Sequence, residues 1–177
     1  MSVRLKIQFF LLLFCCYSGA NADTRLFQVE LIVFEQSAPT TELFEQTETK
    51  IAPVKHYAEV QPGIKTMNAS YRRLQRADSY RPFYYESWQI RAKSNRVSLP
   101  IHISSHAQNL EGWIKIQRGK LLHVIVDLEY SPTNLDEPEG LIYRIAEKRR
   151  VLLDEVHFFD HPYFGALVKV CLKSQII

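Results

Sequence analysis

The sequence predicts an α+β fold in which one short helix packs on one face of a mostly antiparallel sheet. Three observations favour this class. A strand pattern opens the chain beyond residue 22, a single stretch with helical spacing follows a long loop, and the remainder is a run of strand patterns separated by turns. The 177 residues contain no internal repeat and suffice for one domain, which we place at residues 23–177.

The first 22 residues have the features of a secretion signal. Arg4 and Lys6 give a positive start, an apolar run extends from Ile7 to Tyr17, and Ala20-Asn21-Ala22 supplies small residues at −3 and −1 of a cleavage site. We expect cleavage before Asp23 and a mature protein in the periplasm of a Gram-negative bacterium. A retained anchor is the alternative, but about eleven apolar residues span only about half of the hydrocarbon core. No membrane span is expected after cleavage.

The cysteines indicate a mature protein without disulfides. Cys15 and Cys16 leave with the predicted signal, and neither follows the small residue that lipidation requires. Cys171 is then the one thiol of the mature chain, and its apolar strand sequence predicts a buried side chain. The stability of the fold must therefore come from burial.

The mature chain opens with a predicted strand at residues 26–34. Alternate residues make one face apolar, and Ile32 and Phe34 make the other face apolar too, which is typical of a central strand. Residues 37–63 lose this pattern and predict a long loop. A short helix is predicted from Asn68, followed by an aromatic strand at residues 83–91.

The clearest local unit is a hairpin formed by residues 113–117 and 121–130. Its two apolar faces lie on one side of the sheet if Ile116 is opposite Leu122 and the loop is Arg118-Gly119-Lys120.

Further strand patterns complete the domain. Residues 141–145 and 151–159 form one bulged strand or two, and a last strand covers residues 166–172. We expect a structural turn before the last strand, made by Asp160, His161, Pro162 and Gly165.

Motifs and charge favour neither an enzyme nor a nucleic-acid-binding protein. The chain has 22 basic and 19 acidic residues, without the strong basic excess of a nucleic-acid binder. Phosphate-binding loops and nucleophile elbows are missing from the sequence. We expect no catalytic residues, no cofactor and no nucleic-acid partner.

Histidines provide an alternative, a zinc site. His102 and His106 are four residues apart, and so are His157 and His161. His102 and His157 fall in strand patterns, however, where that spacing does not form a helical ligand face. We therefore expect no metal at His102, His106, His157 or His161.

Aromatic residues provide the candidate ligand site. Trp88 and Trp113 offer flat apolar faces on which sugar rings stack, and Arg91 and Lys115 lie near them for carboxylates. We expect each tryptophan and its cation to project from the same face of one strand. The alternative is that the tryptophans fill the core of the sheet.

Four stretches of the chain, residues 27–34, the Trp88 strand, 121–128 and 157–165, resemble the CsiV family of periplasmic peptidoglycan-binding proteins. The last is the most specific, because a His-x-x-Asp-His-Pro turn leading to glycine and an apolar strand is an uncommon combination.

The resemblance implies a non-enzymatic protein that binds peptidoglycan and assists cell-wall assembly. It also implies a lipoprotein activator of a cell-wall synthase as a partner, and it supplies no catalytic residues. The alternative function is a small exported interaction module that docks a cell-envelope partner through an exposed sheet edge or the 37–63 loop.

Overall fold

The computed structural model describes residues 23–36, 51–132 and 142–173. This part of the chain forms strands, one α-helix and one 3-10 turn. In chain order they are β1 Thr24–Gln36, β2 Gln61–Pro62, α1 Asn68–Arg76, β3 Tyr80–Lys93, β4 Arg96–Val97, β5 Ile101–Ser105, the 3-10 turn His106–Gln108, β6 Leu110–Arg118, β7 Leu122–Tyr130, β8 Tyr143–Val151, β9 Val156–Asp160 and β10 Phe164–Lys173.

The predicted α+β class is wrong, because the fold is closer to an all-β sandwich. The strands form two antiparallel sheets and not one. The first sheet has the order β2-β3-β1-β10-β9, and the second has the order β4-β6-β7-β8 with β5 also paired to β6. The helix is present as predicted but has only nine residues, none of them fully buried. A second sheet, and not the helix, therefore covers the main apolar face.

The core lies between the two sheets. Val29 and Leu31 of β1 belong to the same buried cluster as Ile114 of β6 and Val126 of β7, and all four are at most 1% exposed. Burying one such side chain stabilises a fold by about 1.5–3 kcal/mol. This shared core holds the sheets face to face.

The prediction that β1 is a central strand is confirmed, since β1 lies between β3 and β10. Its even-numbered apolar residues form a second cluster on the outer face of the first sheet. There Ile32 and Phe34 pack with Met67 and with Tyr71 and Leu74 of the helix. The helix therefore covers the face of β1 that the sandwich core leaves open.

The predicted hairpin register is wrong by one residue on each arm. Ile116 lies opposite Val124, and Arg118 lies opposite Leu122, so that residues 119–121 form the loop. The loop still has an odd number of residues, and both apolar faces point into the core. The backbone N–H of Gly119, the first residue of the loop, donates to the carbonyl of Leu121, the last residue of the loop (3.1 Å).

Residues 143–160 form two separate strands, β8 in the second sheet and β9 in the first.

Gly165 is the second residue of β10. A Cβ atom at this position would lie 2.6 Å from the rings of both Phe34 and Phe158. These rings stack on each other with centroids 5.8 Å apart. Glycine at position 165 thus leaves room for the stacked pair.

Cys171 is buried in β10, as predicted. Burial, with a contribution from a hydrogen bond to Asp154, raises the pKa of its thiol to about 11.

The predicted signal peptide and residues 37–50 of the predicted loop lie outside the described residues. Within the described part of the chain, no helix combines the length and apolarity needed to cross a bilayer.

Candidate functional site

The outer face of the second sheet is its side opposite the core. Side chains alternate along β6 and β7, so that Ile114, Ile116, Val124 and Val126 point into the core and their neighbours point outward. The helix lies on the first sheet. Most outward side chains of the second sheet are exposed or half-buried, which makes this face accessible to a ligand.

Trp113 lies near the middle of this outer face and is half-buried. Its cross-strand neighbours are His102 in β5 and Asp127 in β7. The Nζ atom of Lys115 lies 3.9 Å from the centre of the Trp113 ring, within the range of a cation–π contact. The predicted placement of Trp113 and Lys115 on one strand face is thus seen in the structure.

Tyr57 extends the aromatic surface beyond β5. Its ring stacks on His102 with centroids 4.3 Å apart, and Nε2 of His102 lies 2.6 Å from a carboxylate oxygen of Glu111. Burial, and then the charge of Glu111, raise the pKa of Tyr57. Tyr57, His102 and Trp113 therefore form an aromatic row across the outer face.

An ion pair borders Trp113 on the other side. Asp127 is only 7% exposed, and its two carboxylate oxygens accept from Nε and a terminal nitrogen of Arg144 at 2.7 and 2.8 Å. This two-point contact raises the pKa of Arg144 and fixes both side chains in one orientation. A ligand on the Trp113 ring would meet ordered polar groups beside it.

Trp88 and Arg91 do not form a joint site. Residues three positions apart on a strand point to opposite faces, so the predicted common face is wrong for this pair. Trp88 packs against the sandwich core with Tyr84. Arg91 is paired with Leu26 of β1 on the outer face of the first sheet and is exposed there.

Arg91 lines a shallow cleft of about 280 Å³. Leu26 and Leu99 provide its apolar part, and Gln61 and Gln89 contribute carboxamides. Ligand pockets commonly measure about 300–1,000 Å³ and are mostly apolar. Among the described residues, no aromatic side chain lines the cleft. It therefore offers a sugar ring less stacking surface than the outer face of the second sheet does.

The residues of the predicted turn join β9 and β10 to the end of β1. The side-chain amide of Gln36 donates both to Asp160 Oδ1 (3.1 Å) and to the carbonyl of His161 (2.9 Å). The backbone N–H of His161 donates to the carbonyl of Phe164 (3.1 Å). Burial lowers the pKa of His161. Pro162 lies between the residues that make these contacts. The hydrogen bonds link the turn to β1, which fits a structural role for the turn.

The histidines considered for zinc are distributed over the sandwich. His102 contacts Glu111, whereas Nε2 of His157 accepts from the backbone N–H of Leu152 (3.0 Å). Among residues 23–36, 51–132 and 142–173, no group of three or more histidine, cysteine or acidic residues is placed to hold a metal ion.

A family model described as "Peptidoglycan-binding protein, CsiV" matches residues 55–171, which is more than half of the chain. The chain belongs to the CsiV family. The region shared with the CsiV model contains Tyr57, both tryptophans and the turn at residues 160–165. A comparison with curated proteins finds no match. The CsiV description supports a binding role and a location in the cell envelope.

Proposed function

We propose that this CsiV-family protein is a non-enzymatic, periplasmic accessory protein of cell-wall assembly that binds peptidoglycan on the outer face of its second sheet. The observation that carries the proposal is the placement of Trp113, an accessible tryptophan near the middle of the outer face, at the end of the aromatic row and with Lys115 over its ring. The family description supplies the ligand class.

The chemistry of the face suits a glycan strand. Sugar rings have apolar faces that stack on flat aromatic rings, and hydroxyl and acetamido groups at their edges form hydrogen bonds. Trp113 supplies the ring, while Asp127 and Arg144 supply an ordered acceptor and donor beside it. Arg144 holds the Asp127 carboxylate in one orientation, which suits hydrogen bonding to a ligand.

Replacing Trp113 by alanine should weaken co-sedimentation with purified peptidoglycan sacculi about tenfold, because truncating an aromatic anchor removes the main contact surface. The circular dichroism spectrum and melting temperature should hold, since the ring lies outside the core. Trp113→Phe keeps a stacking ring and should retain most of the binding.

Trp88→Ala is the matched control for this experiment. Trp88 packs against the core, so its loss should cost about 3 kcal/mol of folding free energy. A folded Trp113→Ala protein that binds sacculi like the wild type would refute the assignment of the site. Folded wild-type protein that never sediments with sacculi would refute peptidoglycan binding.

Docking of a cell-envelope protein is the second candidate function, and a lipoprotein activator of a cell-wall synthase is the proposed partner. The observation that favours docking is the edge strand β9, which is paired with β10 at the margin of the first sheet. Val156 and Phe158 on this strand are 45% and 37% exposed. Exposed edge strands are sites where a partner can add a strand.

Export is the remaining part of the proposal, and it predicts a mature protein that begins at Asp23. The backbone carbonyl of Asp23 accepts from the N–H of Ser94 (3.0 Å), and its carboxylate pairs with Arg118. The contact with Arg118 lowers the pKa of Asp23. Intact mass spectrometry of protein from the periplasmic fraction should find this N-terminus. A mass that includes Met1 to Ala22 would contradict export with cleavage.

A further inference from the structure

One half of the outer face of the second sheet carries a strip of basic residues. Lys115 on β6 lies opposite Ile125 on β7, which in turn lies opposite Lys148 on β8. Two residue pairs further along, His123 lies opposite Arg150. All of these side chains share the outer face because directly paired residues project from the same side of a sheet. We call Lys115, Lys148 and Arg150 the basic strip.

The charges of the basic strip are not neutralised within the described ranges 23–36, 51–132 and 142–173, where none of its three members forms an ion pair. The acidic residues of the same outer face lie toward the other half. Glu111 contacts His102, Asp127 is bound by Arg144, and Glu129 lies 4.0 Å from the same Arg144. Positive charge is therefore concentrated in one half of the face.

Strand geometry sets the spacing of the strip. Neighbouring strands lie about 4.8 Å apart, so Lys115 and Lys148 are separated by about 10 Å across β7. Residues two apart on one strand are separated by about 7 Å, which applies both to Lys148 with Arg150 and to Trp113 with Lys115. A ligand that covers the tryptophan ring and extends by one or two further groups would reach the cations.

We propose that the basic strip binds the carboxylates of peptidoglycan stem peptides while Trp113 binds the glycan, an inference that rests on the proposed function. The sugars offer apolar faces and neutral polar groups, which the aromatic row suits. The stem peptides carry free carboxylates, which ammonium and guanidinium groups recognise by charge-assisted hydrogen bonds. The segregation of aromatic and basic residues on one face matches these two parts of the ligand.

Two kinds of sacculi test the proposal. In one, the carboxylates remain free; in the other, carbodiimide and excess methylamine have converted them to neutral amides while the glycan stays intact. Wild-type protein should bind the amidated sacculi about fivefold more weakly, the effect of losing about two solvent-accessible ion pairs. A Lys148→Gln/Arg150→Gln variant should bind native sacculi about fivefold more weakly and should lose little more on amidated ones.

Arg72→Gln/Arg76→Gln is the matched control, because it removes the same charge from exposed positions of α1, on the opposite side of the sandwich. It should bind native sacculi like the wild type. An equal loss in this control would indicate general attraction between a basic protein and an acidic wall, and would overturn the assignment to the strip.

The outcomes separate this inference from the proposed function. If wild type and the Lys148→Gln/Arg150→Gln variant bind both kinds of sacculi equally while Trp113→Ala does not bind, the glycan site stands and the inference is wrong. If the wild type binds neither kind, the proposed function fails first.

Discussion

A Gly112→Ala variant should lose about 3 kcal/mol or more of folding free energy, because a side chain at this position overlaps the neighbouring backbone. A Cβ atom on Gly112 would lie 2.2 Å from the carbonyl oxygen of Asp127 and 2.8 Å from Cα of Leu128. Its φ of +156° adds to the cost, since residues with a side chain rarely adopt it. Strands β6 and β7 would have to separate where their hydrogen-bonded ladder is continuous.

Gly119→Ala is the matched control for the Gly112 variant. The nearest atom to a Cβ at Gly119 is the carbonyl oxygen of Leu121 at 3.7 Å, an ordinary contact. Its free energy of unfolding in urea should lie within about 0.5 kcal/mol of the wild type. Equal urea midpoints for Gly112→Ala and the wild type would contradict the close approach of β6 and β7 at this position.

The position of Gly112 also matters for the candidate site. It directly precedes Trp113 and is paired with Ile103 on one side and Leu128 on the other. The close approach of β7 at this point helps to fix the strand that presents the Trp113 ring. Loss of sacculus binding in Gly112→Ala should therefore accompany loss of the folded state.

The alternation of side chains predicted individual strands well but did not predict their division between sheets. Apolar residues on both faces of β1 correctly indicated a central strand. Residues 143–160 form an almost continuous strand pattern, yet β8 and β9 belong to different sheets. Which strands pair is decided by contacts between distant residues, such as Val29 with Val170. The α+β prediction failed because such pairing leaves no local pattern.

The candidate site was predictable only along a single strand. Trp113 and Lys115 are two residues apart, so the period of a strand brings them to one face. The same rule separates Trp88 from Arg91. Tyr57 was missed because its contact with His102 is made across distant parts of the chain. The alternation of buried Ile101 and Ile103 could have placed His102 on the outer face.

Glu30 is a buried carboxylate on the outer face of β1 and is 0% exposed. It accepts from the backbone N–H groups of Thr66 (2.7 Å) and Met67 (3.0 Å), just before α1. It also accepts from the hydroxyl of Tyr85 (3.0 Å) and from the side-chain amide of Gln28 (2.9 Å). Glu30 thus attaches the start of the helix to the centre of the first sheet.

A Glu30→Gln variant should lose about 3 kcal/mol of folding free energy at pH 7, because its amide N–H groups would face the backbone N–H donors of Thr66 and Met67, which need an acceptor. Each buried donor left without an acceptor costs about 1–3 kcal/mol. Glu86→Gln is the matched control, since Glu86 makes a surface ion pair with Lys65 (3.2 Å). Its cost should stay below about 1 kcal/mol.

The acid dependence of unfolding tests whether Glu30 stabilises the fold as an ionised carboxylate. Burial alone would raise the pKa of Glu30, but hydrogen bonds from Thr66, Met67 and Tyr85 outweigh it and lower the pKa below the ordinary value. A carboxyl with a lowered folded pKa stabilises the protein fully above its unfolded pKa of about 4.3 and loses that contribution as the pH falls through the folded pKa. Urea midpoints of the wild type should therefore fall below about pH 4.3 more steeply than those of Glu30→Gln. Parallel curves would show that Glu30 stabilises the fold without being charged.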